Sequence, residues 1–291
     1  MAERRLYLGP LTDNRRWDWV ALRASDVVVA TPPKSGTTWM QTIVALLASG
    51  DPNVVTEPAV RMPWVDIRYR EIDEVAARIG AMAGRRCLKS HTPLDGLPVE
   101  ADAQFICVFR HPLDAHFSYR KHLKNLNMTH VFAHWFPEED PDGVTFRRFL
   151  DGGPEGYDGD AMPLAHILRH YAAARAAGAR SNVSLFHYAD MSRDLPGTFA
   201  RVAALMGVSY PADVVKALIA AAGFDHMRAN AARYAPGGGT GFMKDDAAFF
   251  DSGSSGKWEG KLSTAELAAY DAAMDAALDP EARAWLEFGS A

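Results

Sequence analysis

The stretch Thr31-Pro32-Pro33-Lys34-Ser35-Gly36-Thr37-Thr38-Trp39 decides the fold. It follows an apolar run at 27–30 and precedes a helical pattern at 40–47. A strand that ends in a tight loop aims the first backbone N–H groups of the next helix at one point, where the helix dipole favours negative charge. Lysine, serine and threonine side chains in the loop add further donors. The sequence therefore predicts an anion-binding loop between a strand and a helix.

The loop departs from the phosphate-binding loop of nucleotide triphosphatases, G-x-x-x-x-G-K-[ST]. In that pattern the lysine follows the last glycine, whereas Lys34 lies two residues before Gly36. No glycine stands four or five positions before Lys34. A nucleotide kinase or NTPase of the P-loop class therefore remains an alternative with weaker support.

Length and composition limit the classes of protein that fit. The 291 residues, 48% of them hydrophobic, are enough for one large core, and we expect a single domain over 1–291. A net charge of −5 argues against a nucleic-acid partner. Two cysteines, Cys87 and Cys107, form no metal or disulfide framework. No apolar run approaches the roughly 20 residues that cross a bilayer, so we expect a cytoplasmic protein without a membrane partner.

Short apolar runs alternate with helical patterns along the chain. This alternation predicts an α/β fold with a mostly parallel sheet of about four to five strands flanked by helices. Pro112, Pro211 and the capping box at 263–266 mark three helix starts. The runs expected to form strands are Asp26–Ala30, Arg86–Lys89, Gln104–Phe109 and Asn182–His187.

Basic residues follow three of these strands. Lys34, Lys89 and Arg110 each come at or just after the carboxyl end of a strand, and in an open parallel sheet these ends share one edge. Three cationic strand ends predict a site for a multiply charged anion. Three irregular regions, 52–69, 137–163 and 236–260, are expected to surround that site. Five apolar residues in or beside loops either pack in the core or line an acceptor pocket: Trp17, Trp19, Met62, Trp64 and Val65.

The loop, with its PKSGTTW sequence, is similar to the loop of the cytosolic-type PAPS-dependent sulfotransferases, and the chain resembles a bacterial member of that family. The resemblance implies a P-loop-like, three-layer fold. It also implies a metal-independent, in-line transfer of the sulfuryl group of PAPS (3′-phosphoadenosine 5′-phosphosulfate) to a hydroxyl or amine of a small apolar or aromatic acceptor. The residues implied to bind the phosphosulfate are Lys34, Ser35, Gly36, Thr37, Thr38 and Trp39.

The segment Lys89-Ser90-His91-Thr92-Pro93 resembles the family segment that carries the catalytic histidine. An imidazole near its reference pKa of about 6.5 can take a proton from an alcohol or phenol at neutral pH. We therefore expect His91 to act as the base, Lys34 to serve the bridging oxygen and Lys89 to serve the sulfuryl oxygens. A structural role for His91 in a turn is the alternative.

Two further segments resemble the parts of the family that bind the nucleotide. Arg110 and Ser118, eight residues apart, match the pair that binds the 3′-phosphate, and guanidinium offers paired donors to phosphate. The residues implied to surround the adenine, together with Trp39, are Tyr188, Phe224 and Met227.

The resemblance fails at the last family motif, RKGxxGDW. The aligned residues are Asp251-Ser252-Gly253-Ser254-Ser255-Gly256-Lys257-Trp258, so Asp251 and Ser252 replace the basic pair. Backbone N–H groups near Gly253 and Gly256 are still expected to line an anion site. A nucleotide-binding homologue without activity stays open, and the sequence leaves the oligomeric state undecided.

A metal site has little support in the sequence. His130 and His134 lie four residues apart, but the HExxH pattern is absent and Pro137 follows soon after. We expect no metal ligand among the site residues.

Overall fold

A parallel sheet forms the centre of the protein. The computed structural model describes residues 4–54, 61–130, 146–152, 162–251 and 253–290. The strands are Val27–Ala30 (β1), Cys87–Ser90 (β2), Gln104–Phe109 (β3) and Val183–His187 (β4). They lie in the order β2-β1-β3-β4, and all neighbouring pairs are parallel. The α/β prediction is confirmed, and each predicted strand is within one residue of its observed bounds.

Helices cover both faces of this sheet. Their bounds are Thr37–Ser49 (α1), Ile72–Ala81 (α2), Pro112–Asn125 (α3), Phe146–Asp151 (α4), Leu164–Ala177 (α5), Tyr188–Arg193 (α6), Leu195–Met206 (α7), Ala212–Ala221 (α8), Phe224–Ala229 (α9), Ala231–Tyr234 (α10), Thr264–Ala277 (α11) and Pro280–Phe288 (α12). Short 3₁₀ helices lie at Asn14–Trp19, Leu94–Gly96 and Ala247–Phe249.

Alternate residues of each strand enter different hydrophobic cores. Val27 and Val29 pack with α1, α7 and α8, whereas Val28 and Ala30 pack with α3, α5, α11 and α12. All four side chains are fully buried. A strand buried on both faces reads as a continuous apolar run, which explains why 27–30 shows no polar alternation. The molecule therefore has three layers.

Local signals in the sequence set several helix ends. Pro112 is the first residue of α3, where its missing N–H costs nothing. The Ser263 hydroxyl and the Glu266 carboxylate cap each other's backbone N–H groups at the start of α11, as predicted. The region 137–163, which we expected to be irregular, contains the short helix α4, because Phe146 and Phe149 bury one apolar side.

The strand β2 lies at one edge of the sheet and is covered by a loop. The Val65 N–H donates to the Lys89 carbonyl over 3.2 Å, and the Lys89 N–H donates to the Pro63 carbonyl over 3.0 Å. The region 61–67 is thereby attached to the strand that carries Lys89. Among the described helices, none has the length and hydrophobicity needed to span a bilayer.

Candidate active site

The loop after β1 has an unusual backbone. Lys34 and Gly36 have φ angles of 63° and 106°, in the left-handed region that side chains with a Cβ adopt at a cost. Gly36 also lies against Tyr188, since an added Cβ would stand 3.0 Å from the ring atom Cδ2. The hydroxyls of Thr31 and Thr37 hydrogen-bond to each other across the loop. The loop is thus closed tightly at the start of α1, where the N-terminus of a helix favours an anion.

Two half-buried lysines lie in this site. Burial lowers the pKa of Lys34 to about 7, and the positive charges of Arg110 and Lys257 act in the same direction. Burial also lowers the pKa of Lys89 to about 8, against an opposing effect of Asp66. Aromatic rings face both ammonium groups: Lys34 Nζ is 4.2 Å from the centroid of Phe249, and Lys89 Nζ is 3.8 Å from that of Trp64. The site therefore concentrates positive charge at the strand ends, where an anion would stabilise it.

The imidazole of His91 is oriented by the backbone. Its Nδ1 lies 2.7 Å from the carbonyl oxygen of Thr31. A carbonyl can only accept, so Nδ1 carries the proton and Nε2 is the nitrogen that can accept one. Burial holds the pKa of His91 well below its usual value, and the nearby Lys89 adds to the effect. His91 is therefore a neutral imidazole at neutral pH. The edge of Trp64 packs against its ring at 4.8 Å.

Asp66 is a site residue that sequence reasoning missed. Its carboxylate is fully buried and accepts hydrogen bonds from the hydroxyls of Ser90, at 2.7 Å, and Thr92. These two residues flank His91 on both sides. Asp66 therefore fixes the segment that presents the imidazole and also favours the charged form of Lys89. The available signal was an acidic residue inside the apolar stretch 65–67.

Arg110, which is 5% exposed, extends from the end of β3 into the same site. One of its terminal nitrogens donates to the carbonyl of Ser254 over 2.8 Å, and its guanidinium carbon lies 4.2 Å from the centroid of Tyr188. Its buried Nε has no acceptor among the described residues. Tyr188 also meets the ring of Trp39, edge to face at 5.4 Å. The predicted guanidinium and two of the predicted adenine-binding rings are therefore neighbours.

The glycine-containing loop near the C-terminal end is held by Asp114, which the sequence did not single out. The fully buried carboxylate of Asp114 accepts from the backbone N–H of Gly256 at 3.0 Å and of Lys257 at 2.7 Å. Gly253, with a φ of 65°, packs on Phe224 so closely that a Cβ would lie 2.8 Å from the ring. The loop is thus fixed between α3 and α9.

Asp251, the residue that breaks the family motif, is ion-paired. Its two carboxylate oxygens accept from Lys121 Nζ at 2.8 Å and from Lys257 Nζ at 2.7 Å. Burial raises the pKa of Asp251, but the two ammonium groups outweigh this effect and bring it to about 2. The carboxylate is therefore charged and compensated. Ser252 lies outside the described residues.

A cavity of about 900 Å³ joins these groups. Ser35 is buried and Gly256 is held by Asp114, and neither lines the cavity. The predicted site residues that do line it are Lys34, Gly36, Thr37, Thr38, Trp39, Lys89, His91, Arg110, Ser118, Tyr188, Phe224, Met227 and Gly253.

Several apolar side chains also line the cavity, in addition to the charged residues Arg70, Glu74 and Arg78. Leu11, Ile67 and Val75 line it, together with Met62 and Trp64 from the set that the sequence left open. The other three members of that set lie elsewhere: Trp17 and Val65 are in the core, and Trp19 is 61% exposed. His130 also lines the cavity, whereas His134 is outside the described residues.

A parallel sheet with a phosphate-type loop at its strand ends and cations beside it defines an anion-binding protein of the P-loop-like α/β class. The sulfotransferase domain family matches residues 24–281, so this chain belongs to the sulfotransferase family and is an enzyme of sulfuryl transfer.

Two mycobacterial relatives are similar over nearly the whole chain. A glycolipid sulfotransferase of Mycobacterium tuberculosis is 32% identical over 99% of this chain and 96% of its own length. A glycolipid sulfotransferase of Mycobacterium bovis is 31% identical over the same shares.

Solved structures agree with the fold. A mouse sulfotransferase complexed with PAP superposes with a TM-score of 0.72 at 17% identity, over 95% of this chain and 94% of that one. A retinol dehydratase in complex with androsterone and the inactive cofactor PAP gives a TM-score of 0.68 at 20% identity, over 90% and 82%. At these identities the likeness concerns the fold.

Proposed function

We propose that this protein transfers the sulfuryl group of PAPS to a hydroxyl or amine of a small-molecule acceptor. The observation that carries the proposal is the convergence of Lys34, Lys89 and His91 on one cavity that also contains Arg110. Two structural relatives were solved with PAP, which is PAPS without its sulfuryl group. We place the reaction in the cytoplasm and assign it to one domain spanning 1–291.

The donor groups of the cavity fit a nucleotide with two anionic ends. Arg110 Nε is buried and has no partner in the part of the chain that the structure describes. A buried donor without an acceptor costs about 1–3 kcal/mol, which an anionic ligand oxygen can recover. Tyr188 and Phe224 also line the cavity, where their rings could contact a purine. These features support PAPS as the co-substrate.

The two lysines would compensate the negative charge on the leaving phosphate oxygen and on the sulfuryl oxygens. Bound PAPS supplies a sulfuryl group attached through oxygen to a phosphate. Lys34, in the loop, would stabilise charge on the leaving phosphate oxygen. Lys89, which lies over the Trp64 ring, would stabilise the sulfuryl oxygens. Such preorganised charges act strongly in a site with little water, and the proposal includes no metal ion.

His91 would accept the proton of the acceptor. As the acceptor oxygen or nitrogen forms its bond to sulfur, the bond from sulfur to the phosphate oxygen breaks, and the proton passes to Nε2. The bond between Nδ1 and the Thr31 carbonyl keeps Nε2 as the accepting atom. The lowered pKa makes His91 available as a base at neutral pH without prior deprotonation.

The apolar lining supports an acceptor with a hydrophobic body. Met62, Trp64 and Ile67 line the cavity, and Trp64 packs against His91. A lipid-linked or aromatic alcohol would bury its apolar part there and leave its hydroxyl near His91. The two glycolipid sulfotransferases among the relatives agree with a lipid-linked acceptor.

The test is transfer of radiolabelled sulfate from PAPS to a panel of phenols, aliphatic alcohols and glycolipids. We expect labelling of apolar alcohols, with no requirement for added magnesium. Tight, magnesium-dependent binding of ATP together with no transfer from PAPS would instead support a kinase or NTPase. Binding of PAP without labelling of any acceptor would support the inactive nucleotide-binding alternative.

A further inference from the structure

Lys257 is fixed in place by two acidic side chains. Its backbone N–H donates to Asp114, which lies on α3 and is fully buried. Its Nζ donates to Asp251, whose other oxygen bonds to Lys121, also on α3. The side chain of Lys257 is only 10% exposed. The ammonium therefore has a defined position relative to α3, the helix that also carries Ser118 into the cavity.

The ammonium group of Lys257 can donate more hydrogen bonds than the one that it makes to Asp251. It carries three N–H groups, and within the described ranges Asp251 is the acceptor it contacts. Lys257 lines the same cavity as Arg110 and Ser118. Lys257 therefore borders the same space as Arg110 and Ser118, where an anionic group of a ligand would lie.

The positive charges of Lys257, Arg110 and Lys34 repel one another. Burial lowers the pKa of Lys257, and the positive charge of Arg110 adds to that effect. Lys257 in turn lowers the pKa of Lys34. Asp251 opposes both effects, but its carboxylate is already shared with Lys121. A dianion placed between Arg110 and Lys257 would relieve this repulsion and supply the acceptor that Arg110 Nε lacks.

We propose that Lys257, with Arg110 and Ser118, binds the 3′-phosphate of the nucleotide, and that Asp251 positions Lys257 for this contact. The positive charge that the family motif places at 251 and 252 comes here from the other end of the loop, six residues later. Asp251 and Lys257 thus form an ion pair whose signs are exchanged relative to that motif. This inference rests on the proposed function.

The test is calorimetric titration with two nucleotides that differ only in the phosphate concerned, adenosine 3′,5′-bisphosphate and adenosine 5′-phosphate. Wild type should bind the bisphosphate more tightly. Lys257→Met should weaken bisphosphate binding about 10- to 100-fold, as expected for a lost charged hydrogen bond, and change monophosphate binding less than about twofold. Lys257→Arg should restore most of the preference, since it keeps the charge. Lys261→Met, which removes the same charge four residues later and outside the cavity lining, should behave as wild type.

The outcomes separate this inference from the proposed function. Equal binding of the bisphosphate by wild type and Lys257→Met would overturn the role of Lys257. Equal losses for both nucleotides would also overturn it, because the change would then act on the fold rather than on one phosphate. Failure of wild type to bind either nucleotide would overturn the proposed function itself. Thermal unfolding of each variant identifies any that is not folded, and Lys257→Gln then replaces Lys257→Met.

Discussion

The Nδ1 atom of His91 lies 2.7 Å from the carbonyl oxygen of Thr31, the residue that joins β1 to the phosphate loop. One hydrogen bond therefore sets the tautomer of the proposed base and also ties it to the loop that would hold the sulfuryl donor. Because the acceptor is a backbone carbonyl, the position of the imidazole depends on the path of β1 as well as on Asp66, which holds the two flanking residues.

Replacing His91 by alanine should remove turnover and leave nucleotide binding intact. Loss of a general base lowers kcat by about 10²- to 10⁴-fold, while the dissociation constant of PAP should stay within about twofold of wild type. Sulfate transfer and calorimetry measure the two quantities. His226→Ala, at an exposed position, is the control. Loss of PAP binding in His91→Ala would assign the histidine a structural role.

Binding of PAP should weaken as the pH rises above about 7. The Lys34 ammonium, with a pKa of about 7, loses its charge through that range, and its charged form is the one that binds an anion. A bound anion raises this pKa, so binding takes up protons near neutral pH. Calorimetry in buffers of different ionisation enthalpy measures the uptake. Lys34→Arg stays charged and should flatten the dependence; a constant affinity from pH 6 to 9 in wild type would contradict this prediction.

Gly36→Ala should destabilise both the fold and the nucleotide site. At a φ of 106° a Cβ is strained, and it would press on the Tyr188 ring at 3.0 Å. We expect a loss of about 1–2 kcal/mol in the free energy of unfolding, with weaker PAP binding. The matched control is Gly80→Ala in α2, where nothing lies within 4 Å and a gain of about 0.5–1 kcal/mol is expected. Urea denaturation compares the two, and an unchanged Gly36→Ala would refute the close contact.

Asp66→Asn should move the alkaline limit of activity to lower pH. The carboxylate favours the charged form of Lys89, so a neutral amide lets the pKa of Lys89 fall below about 8. Charged Lys89 is present below its pKa and lost above it, and activity should follow. The amide oxygen can still accept from Ser90 and Thr92, which preserves the His91 segment. The pH profile of kcat/KM gives the readout, with Asp73→Asn, at an exposed position of α2, as the control. An unshifted profile would show that Asp66 acts only through packing.

Local features of the sequence were enough to predict the strands and the loop between β1 and α1. The run 27–30 is buried on both faces, so its apolar character reflects its position directly. Pro112 affects only the first turn of its own helix, and so do Ser263 and Glu266. These helix starts could therefore be predicted from the sequence alone.

The side chains that support the site could not be read in the same way. Asp114 bonds to backbone 142 and 143 positions later, and Asp66 bonds to hydroxyls 24 and 26 positions away. The sequence around an acidic residue does not indicate which distant donor will contact its carboxylate. Asp251 looked unfavourable beside a phosphate because the compensating charge of Lys121 lies 130 positions earlier.

The bond between Arg110 and the carbonyl of Ser254 spans 144 positions. During synthesis, the loop, the lysines and the imidazole leave the ribosome long before the segment that closes the nucleotide site. A chain is synthesised from its N-terminus at a limited rate. The loop, the lysines and His91 are therefore exposed for seconds before residue 254 has been added. The proposed nucleotide site is therefore incomplete until residue 254 has been synthesised, and a chain shorter than this would lack the carbonyl that Arg110 contacts.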